Sequence, residues 1–215
     1  MHRIDRYGCI LAVGCMIAVG EFVGGVKSHS LSLISDAFHV LTDLPAIMAT
    51  LIAEVIVARN RGNEEFDEGR CRGTFGVVSA LLLAGGGLGV IWSAMARLEY
   101  GTPQIVTFQM MLWTAIGLVG NGVMLAFMTM NEGHEHGACD KHEHADLSHA
   151  ALMRHIATDL GQSVAVFAGG AAIAMGHTPA IDVWLGFAIG CLMLFWAKKI
   201  MTDSLKAIRG PRNAG

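Results

Sequence analysis

Residues 29–43, HSLSLISDAFHVLTD, place ionisable side chains inside a part of the chain that is apolar on both sides. Asp36, His39 and Asp43 fall within the second half of this stretch. An ionisable group at the centre of a membrane-spanning helix costs about 2.5–3.5 kcal/mol. Such residues mark pathways and binding sites when the surrounding chain spans a membrane, so their meaning depends on whether this chain is a membrane protein.

The composition is that of an integral membrane protein. Of the 215 residues, 53% are hydrophobic and only 15% are charged, against roughly 25% charged residues in average soluble domains. The mean hydropathy is positive. The net charge of −3 says little, because in such proteins the position of the charges matters more than their sum.

Apolar segments predict an all-α, polytopic membrane protein with six transmembrane helices. Each segment is long enough to cross a hydrocarbon core of about 30 Å at 1.5 Å per residue. Short gaps separate the first from the second, the third from the fourth, and the fifth from the sixth, which predicts three hairpins. The predicted spans are 8–27, 31–58, 75–98, 104–130, 149–176 and 180–202.

Lysine and arginine residues predict the orientation. Lys27 and Arg97 are the basic residues on one side of the predicted bundle, whereas the other side is rich in them. The positive-inside rule then places both termini and the two longer loops, about 59–74 and 131–148, in the cytoplasm.

Several function classes are disfavoured. No window matches the phosphate-binding loop G-x-x-x-x-G-K-[S/T], and the remaining residues leave no room for a soluble nucleotide-binding domain. The basic residues are accounted for as topology determinants, so nucleic-acid binding has no support. We therefore interpret the chain as a non-enzyme.

The same pattern of histidine and aspartate occurs in two predicted spans. HVLTD contains His39 and Asp43, and HIATD contains His155 and Asp159. Residues i and i+4 lie on one face of a helix, so each span offers one imidazole and one carboxylate. Two such faces opposite each other would form a tetrahedral site suited to zinc. A single pair is also compatible with an internal hydrogen bond or a polar contact between helices, but its repetition favours the metal site.

Longer stretches around these motifs resemble the cation diffusion facilitator family of metal/proton antiporters, which includes zinc transporters. The resemblance rests on EFVGGVKSHSLSLISDAFHVLTD, on HIATDLGQSVAV, on IGLVGNGVM around Asn121 and on IDVWLGFAIG around Asp182. It covers nearly the whole chain.

This resemblance implies a transport site made of His39, Asp43, His155 and Asp159, with Zn²⁺ as the transported substrate and Co²⁺ or Cd²⁺ as further candidates. Imidazole ligands agree with this metal preference. The resemblance also implies alternating access, exchange of cytoplasmic metal for protons, and a homodimer. A passive metal channel and a membrane metal sensor without transport remain alternatives. A location in the bacterial inner membrane is expected.

Other polar residues are candidates for the pathway or for supporting the ligands. Asp36 lies one turn before His39, where it would orient the imidazole, line the metal path or form a packing hydrogen bond. Asp182 is expected to cap the sixth helix. The remaining candidates, for each of which an interhelical hydrogen bond is an equal alternative, are Glu21, Ser32, Asn121, Gln162 and Ser163.

The predicted domains are a transport domain over 1–205 and a short C-terminal tail over 206–215. The loop 131–148 is rich in histidine, which predicts loose metal binding, with a disordered linker as the alternative. Its region holds His134, His136, His142, His144 and His149. The loop 59–74 holds candidate ligands for a second metal site, with a solvated acidic loop as the alternative: Glu64, Glu65, Asp67, Glu68 and Cys71.

Family members usually continue beyond the sixth span into a cytoplasmic dimerising domain, whereas this sequence stops at RGPRNAG. Both a naturally short chain and a truncated one fit. The homodimer is then expected to form through the membrane domain. Glycine pairs spaced by three residues in the third and sixth spans, Gly85/Gly89 and Gly186/Gly190, mark the expected dimer face.

Overall fold

A computed structural model of the chain describes the backbone of residues 3–42, 52, 56, 68–129 and 143–209. Side chains are described for 12–42, 52, 56, 69–71, 73–126 and 158–209. Some predicted site residues lie outside the described residues: Asp43, His134, His136, His142, Glu64, Glu65 and Asp67.

The described residues are helical apart from short connections, which confirms the predicted all-α class. We label the helices α1 to α6 in chain order, and no strand occurs among the described residues. They are α1 (Arg3–Ser28), α2 (Leu31–Thr42), α3 (Glu68–Tyr100), α4 (Thr107–Thr129), α5 (Glu143–Ala174) and α6 (Ala180–Arg209).

Three helices begin earlier than predicted, among them α1, which begins at Arg3 instead of residue 8. α3 begins at Glu68 and α5 at Glu143, whereas the apolar segments predicted starts at 75 and 149. Apolarity ends where the membrane ends, but no proline interrupts either polar extension, so helical hydrogen bonding continues past the membrane boundary. The predicted loop 131–148 was therefore too long at its end, and the backbones of His144 and His149 are helical.

Three described helices are long and apolar enough to cross a membrane: Gly69–Tyr100, Thr107–Ala126 and Ala180–Arg209, with Leu31–Thr42 as a shorter apolar helix. Their outward faces carry large apolar side chains, as lipid contact requires. Examples are Leu88, Trp92, Phe108, Val119 and Phe195.

Short turns connect the helices within each predicted hairpin. His29, in the turn between α1 and α2, adopts a φ of 59°, and the amide of Val106, just before α4, donates to the Ser28 carbonyl oxygen at 3.0 Å. The α1–α2 and α3–α4 turns therefore meet at one end of the bundle. Within it, α3 packs on α6, α4 packs on both α1 and α5, and α5 also contacts α6.

Some glycines of α3 and α6 lie where helices of the same chain pack closely together. A Cβ atom at Gly87 would lie 3.0 Å from the Gly190 carbonyl oxygen, and one at Gly186 would lie 3.0 Å from Cγ of Leu31. Gly85 and Gly89 have open space around them. The α6 pair thus permits close packing against α3 and α2 within the chain, and the dimer face on the third and sixth spans stays a prediction.

Candidate metal site

The start of α2 is held in a buried polar cluster that fixes the helix carrying His39. Ser30 Oγ accepts a hydrogen bond from the Leu33 amide at 3.2 Å, as an N-cap does. The Asp182 carboxylate, from α6, accepts from the amides of Leu31 at 2.6 Å and Ser32 at 3.1 Å. Three of the amides that the first turn of a helix leaves without an intrahelical partner are thereby satisfied.

Asp182 therefore caps α2 across the bundle, and the prediction that its side chain caps its own helix was wrong. Its carboxylate also accepts from the hydroxyls of Ser30 at 2.6 Å and Ser32 at 2.5 Å. Arg97 of α3 lies 3.7 Å from Asp182 and donates to the His29 carbonyl oxygen at 2.7 Å. The run of serines in SHSLS was the only sign of this cluster in the sequence. Asp182 could not be assigned to it, because no local pattern links these serines to residue 182.

One residue from each predicted histidine–aspartate pair meets its counterpart in the interior. His39 Nε2 of α2 lies 3.3 Å from Asp159 Oδ1 of α5, and the two side chains are 3% and 9% exposed. The two helices therefore face each other through the residues that the repeated motif singled out.

The separation of these two atoms is compatible with metal ligation. Two ligands bound to one tetrahedral zinc ion at about 2.05 Å stand about 3.3 Å apart. The distance equally suits a hydrogen bond between a protonated imidazole and a carboxylate. Asp43 and the side chain of His155 lie outside the described residues. Within the described part of the chain, no group of three or more His, Cys, Asp or Glu side chains converges as a metal site.

A hydrogen-bonded group next to these residues joins α2, α4 and α5. Ser163 Oγ donates to Asp36 Oδ2 at 3.1 Å, and Asn121 Nδ2 donates to Ser163 Oγ at 3.4 Å. All three side chains are buried. Ser163 follows Asp159 by four residues, so it lies one turn along the same face of α5. The structure thus brings three of the predicted supporting residues together.

Glu21 and Gln162, two further candidates of that set, are also buried. The carboxyl group of Glu21 lies directly against Gly117 of α4, in the space that a Cβ atom there would fill. Neither Glu21 nor the Gln162 amide has a hydrogen-bond partner among the described residues.

The sequence is similar to proteins named as metal transporters. The chain is 33% identical over 190 residues to the zinc transporter ZitB of Pectobacterium atrosepticum, covering 87% of this chain and 55% of that protein. It is 30% identical over 187 residues to the metal cation efflux system protein CzcD of Cupriavidus metallidurans, covering 86% and 54%.

A human relative, the proton-coupled zinc antiporter SLC30A2, is 27% identical over 159 residues, covering 72% of this chain and 42% of that protein. The chain thus spans about half the length of the curated relatives it matches. A family model described as the cation efflux transmembrane domain matches residues 9–208. The chain therefore belongs to the cation efflux family of membrane transport proteins.

Proposed function

We propose that the chain is a secondary transporter that exports Zn²⁺ from the cytoplasm in exchange for protons. The observation that carries this proposal is the buried approach of His39 to Asp159, because it joins the two helices whose motifs supply the four proposed ligands. Asp43 and His155 complete the proposed ligand set. Membership of the cation efflux family supports metal transport over other uses of the site.

Zinc is the proposed substrate because two imidazoles and two carboxylates suit a tetrahedral, borderline-soft ion. Relatives named as zinc transporters support this choice. Co²⁺ and Cd²⁺ are secondary candidates on the same coordination chemistry.

Proton exchange follows from the ligands. Imidazole and carboxylate groups must be deprotonated to bind a metal, so protons compete for the same atoms. Histidine titrates near neutral pH, which places this competition in the physiological range. In the proposed cycle zinc binds from the cytoplasm, the helices move to open the site outward, and protons displace the ion. Relatives named as proton-coupled antiporters support the coupling.

The assembly and location belong to the same proposal. Both termini face the cytoplasm, the membrane is the bacterial inner membrane, and two copies associate through the membrane domain. The open glycines of α3, Gly85 and Gly89, offer a surface for close approach of a second copy.

The decisive experiment is zinc transport into proteoliposomes with an imposed pH gradient. We expect the natural chain to move zinc against its concentration gradient. D159A should lose this flux, because it lacks the carboxylate that contacts His39. D203N, which alters an exposed carboxylate of α6, is the matched control and should transport normally.

Other outcomes of this assay would contradict the proposal. Undiminished flux in D159A would remove Asp159 from the site. Flux that runs only downhill and ignores the pH gradient would indicate a channel, and zinc binding without flux would indicate a sensor.

A further inference from the structure

Glu21 is a buried acid in α1 that the proposed metal site does not use. Its side chain is 1% exposed, and neither carboxyl oxygen has a hydrogen-bond partner among the described residues. An ionised carboxylate in such a position would carry a large desolvation cost. A buried acid of this kind calls for a bound proton or cation.

The groups around Glu21 add negative charge and hydrogen-bond acceptors. Asp36 on α2 and Asp159 on α5 are the acids whose charge, when they are ionised, acts on Glu21, and His39 acts on Asp36 when it is protonated. From α4 it faces the backbone of Gly117, one turn before Asn121.

The atoms left without partners in this region indicate what is missing. Asp36 Oδ1 and Asn121 Oδ1 are buried and have no hydrogen-bond partner among the described residues, as is true of both Glu21 oxygens. All four are acceptors, since Asn121 already donates through its Nδ2 to Ser163, and against them the Gln162 amide, which also lacks a partner among the described residues, offers one NH₂ group and one further acceptor. A protonated carboxylic acid supplies the donor that such a group needs, and it also removes one negative charge from a region of low dielectric.

We propose that the Glu21 carboxyl group is a proton-binding site of the transport cycle, separate from the metal ligands, which holds a proton while no zinc is bound. When zinc binds at His39 and Asp159, its positive charge favours ionised carboxylates nearby. The O–H bond of the Glu21 acid then breaks and the proton leaves to water. This inference rests on the proposed function, because it assigns one of the exchanged protons.

The test counts protons released per zinc ion bound by the full chain in detergent micelles. Calorimetric titration with ZnCl₂ in buffers of different ionisation enthalpy gives this number directly. We expect E21Q, which mimics the protonated acid, to bind zinc and to release about one proton fewer than the natural chain. The apparent zinc affinity of E21Q should therefore change by about tenfold less per pH unit than that of the natural chain. E99Q removes an exposed carboxyl group at the end of α3 and should match the natural chain.

Infrared difference spectra upon zinc addition provide a second measurement on the natural chain. The carbonyl stretch of a protonated carboxylic acid is expected to disappear when zinc binds. In E21D the band should shift in frequency while the proton count is retained, so this variant decides the matter even if E21Q does not fold.

The outcomes separate this inference from the proposed function. Equal proton release by the natural chain, E99Q and E21Q, or the absence of a zinc-sensitive acid band, would overturn the role of Glu21 while leaving zinc transport intact. Loss of the proposed function would instead appear as unchanged zinc flux in D159A.

Discussion

Replacement of Asp182 by alanine should destabilise the protein strongly, although Asp182 is not a proposed zinc ligand. The change removes a fully buried carboxylate that accepts hydrogen bonds from two backbone amides and two serine hydroxyls. The amides of Leu31 and Ser32 cannot turn to other acceptors, because the helix fixes their direction. Each buried donor left without a partner costs about 1–3 kcal/mol.

The expected loss for D182A is about 4 kcal/mol in the free energy of unfolding, with two orphaned amides contributing about half or more and Arg97 losing its ion-pair partner. The serine hydroxyls contribute less, since Ser30 Oγ and Ser32 Oγ already lie 3.3 Å apart and can hydrogen-bond to each other. D182N keeps one acceptor oxygen and should lose roughly half as much.

Unfolding in mixed micelles of sodium dodecyl sulfate and a mild detergent, followed by tryptophan fluorescence, measures this difference. D203N, on the exposed face of the same helix, should shift the free energy by at most about 0.5 kcal/mol. If the free energy of unfolding of D182A lay within about 1 kcal/mol of that of the natural chain, the capping of α2 by Asp182 would not be an energetically important contact.

Two further predictions concern packing and pH. Gly24→Ala should destabilise the protein by roughly 1–3 kcal/mol, because the added Cβ atom would overlap Trp113. Gly85→Ala is the control and should be tolerated, because the space around Gly85 is open. Equal losses of unfolding free energy in the two variants, measured in the same assay, would contradict the α1–α4 contact. Zinc affinity, measured by competition with a fluorescent chelator, should fall as the pH drops through about 6.5, since the protonated imidazole cannot bind metal. In H39Q this pH dependence should be weaker, and an identical profile in both proteins would remove His39 from the ligand set.

Features that depend on neighbouring residues were predictable from the sequence. The six helices follow from apolar runs of sufficient length, and the short connections follow from the gaps between them. The spacing of His39 and Asp43, and of His155 and Asp159, predicted that α2 and α5 face each other, which the His39–Asp159 contact confirms for one residue of each pair. This long-range contact could be predicted from the sequence because one motif is repeated in two spans.

Contacts between residues without such a repeated motif were not predictable. Asp182 lies 151 residues from the Leu31 amide that it binds, and its own neighbours suggested only a local cap. Helix starts were also misplaced, since hydropathy reports where the lipid ends and the helices α3 and α5 begin before that point. For Glu21 the sequence revealed an acid inside a span, but only the packing against Gly117 reveals that the acid is confined.

The balance of charge around the site explains why metal and proton would exchange instead of moving independently. Glu21, Asp36 and Asp159 are buried acids of the interior, and His39, which is a cation only when it is protonated, contacts Asp159. In a medium of low dielectric these carboxylates cannot all remain ionised without compensation. Under the proposed function, a divalent ion at His39 and Asp159 would supply that compensation when it is bound, and protons would supply it when the ion leaves. Departure of zinc without proton uptake would leave uncompensated negative charge in the membrane, so under the proposed function the exchange is a consequence of where these carboxyl groups lie.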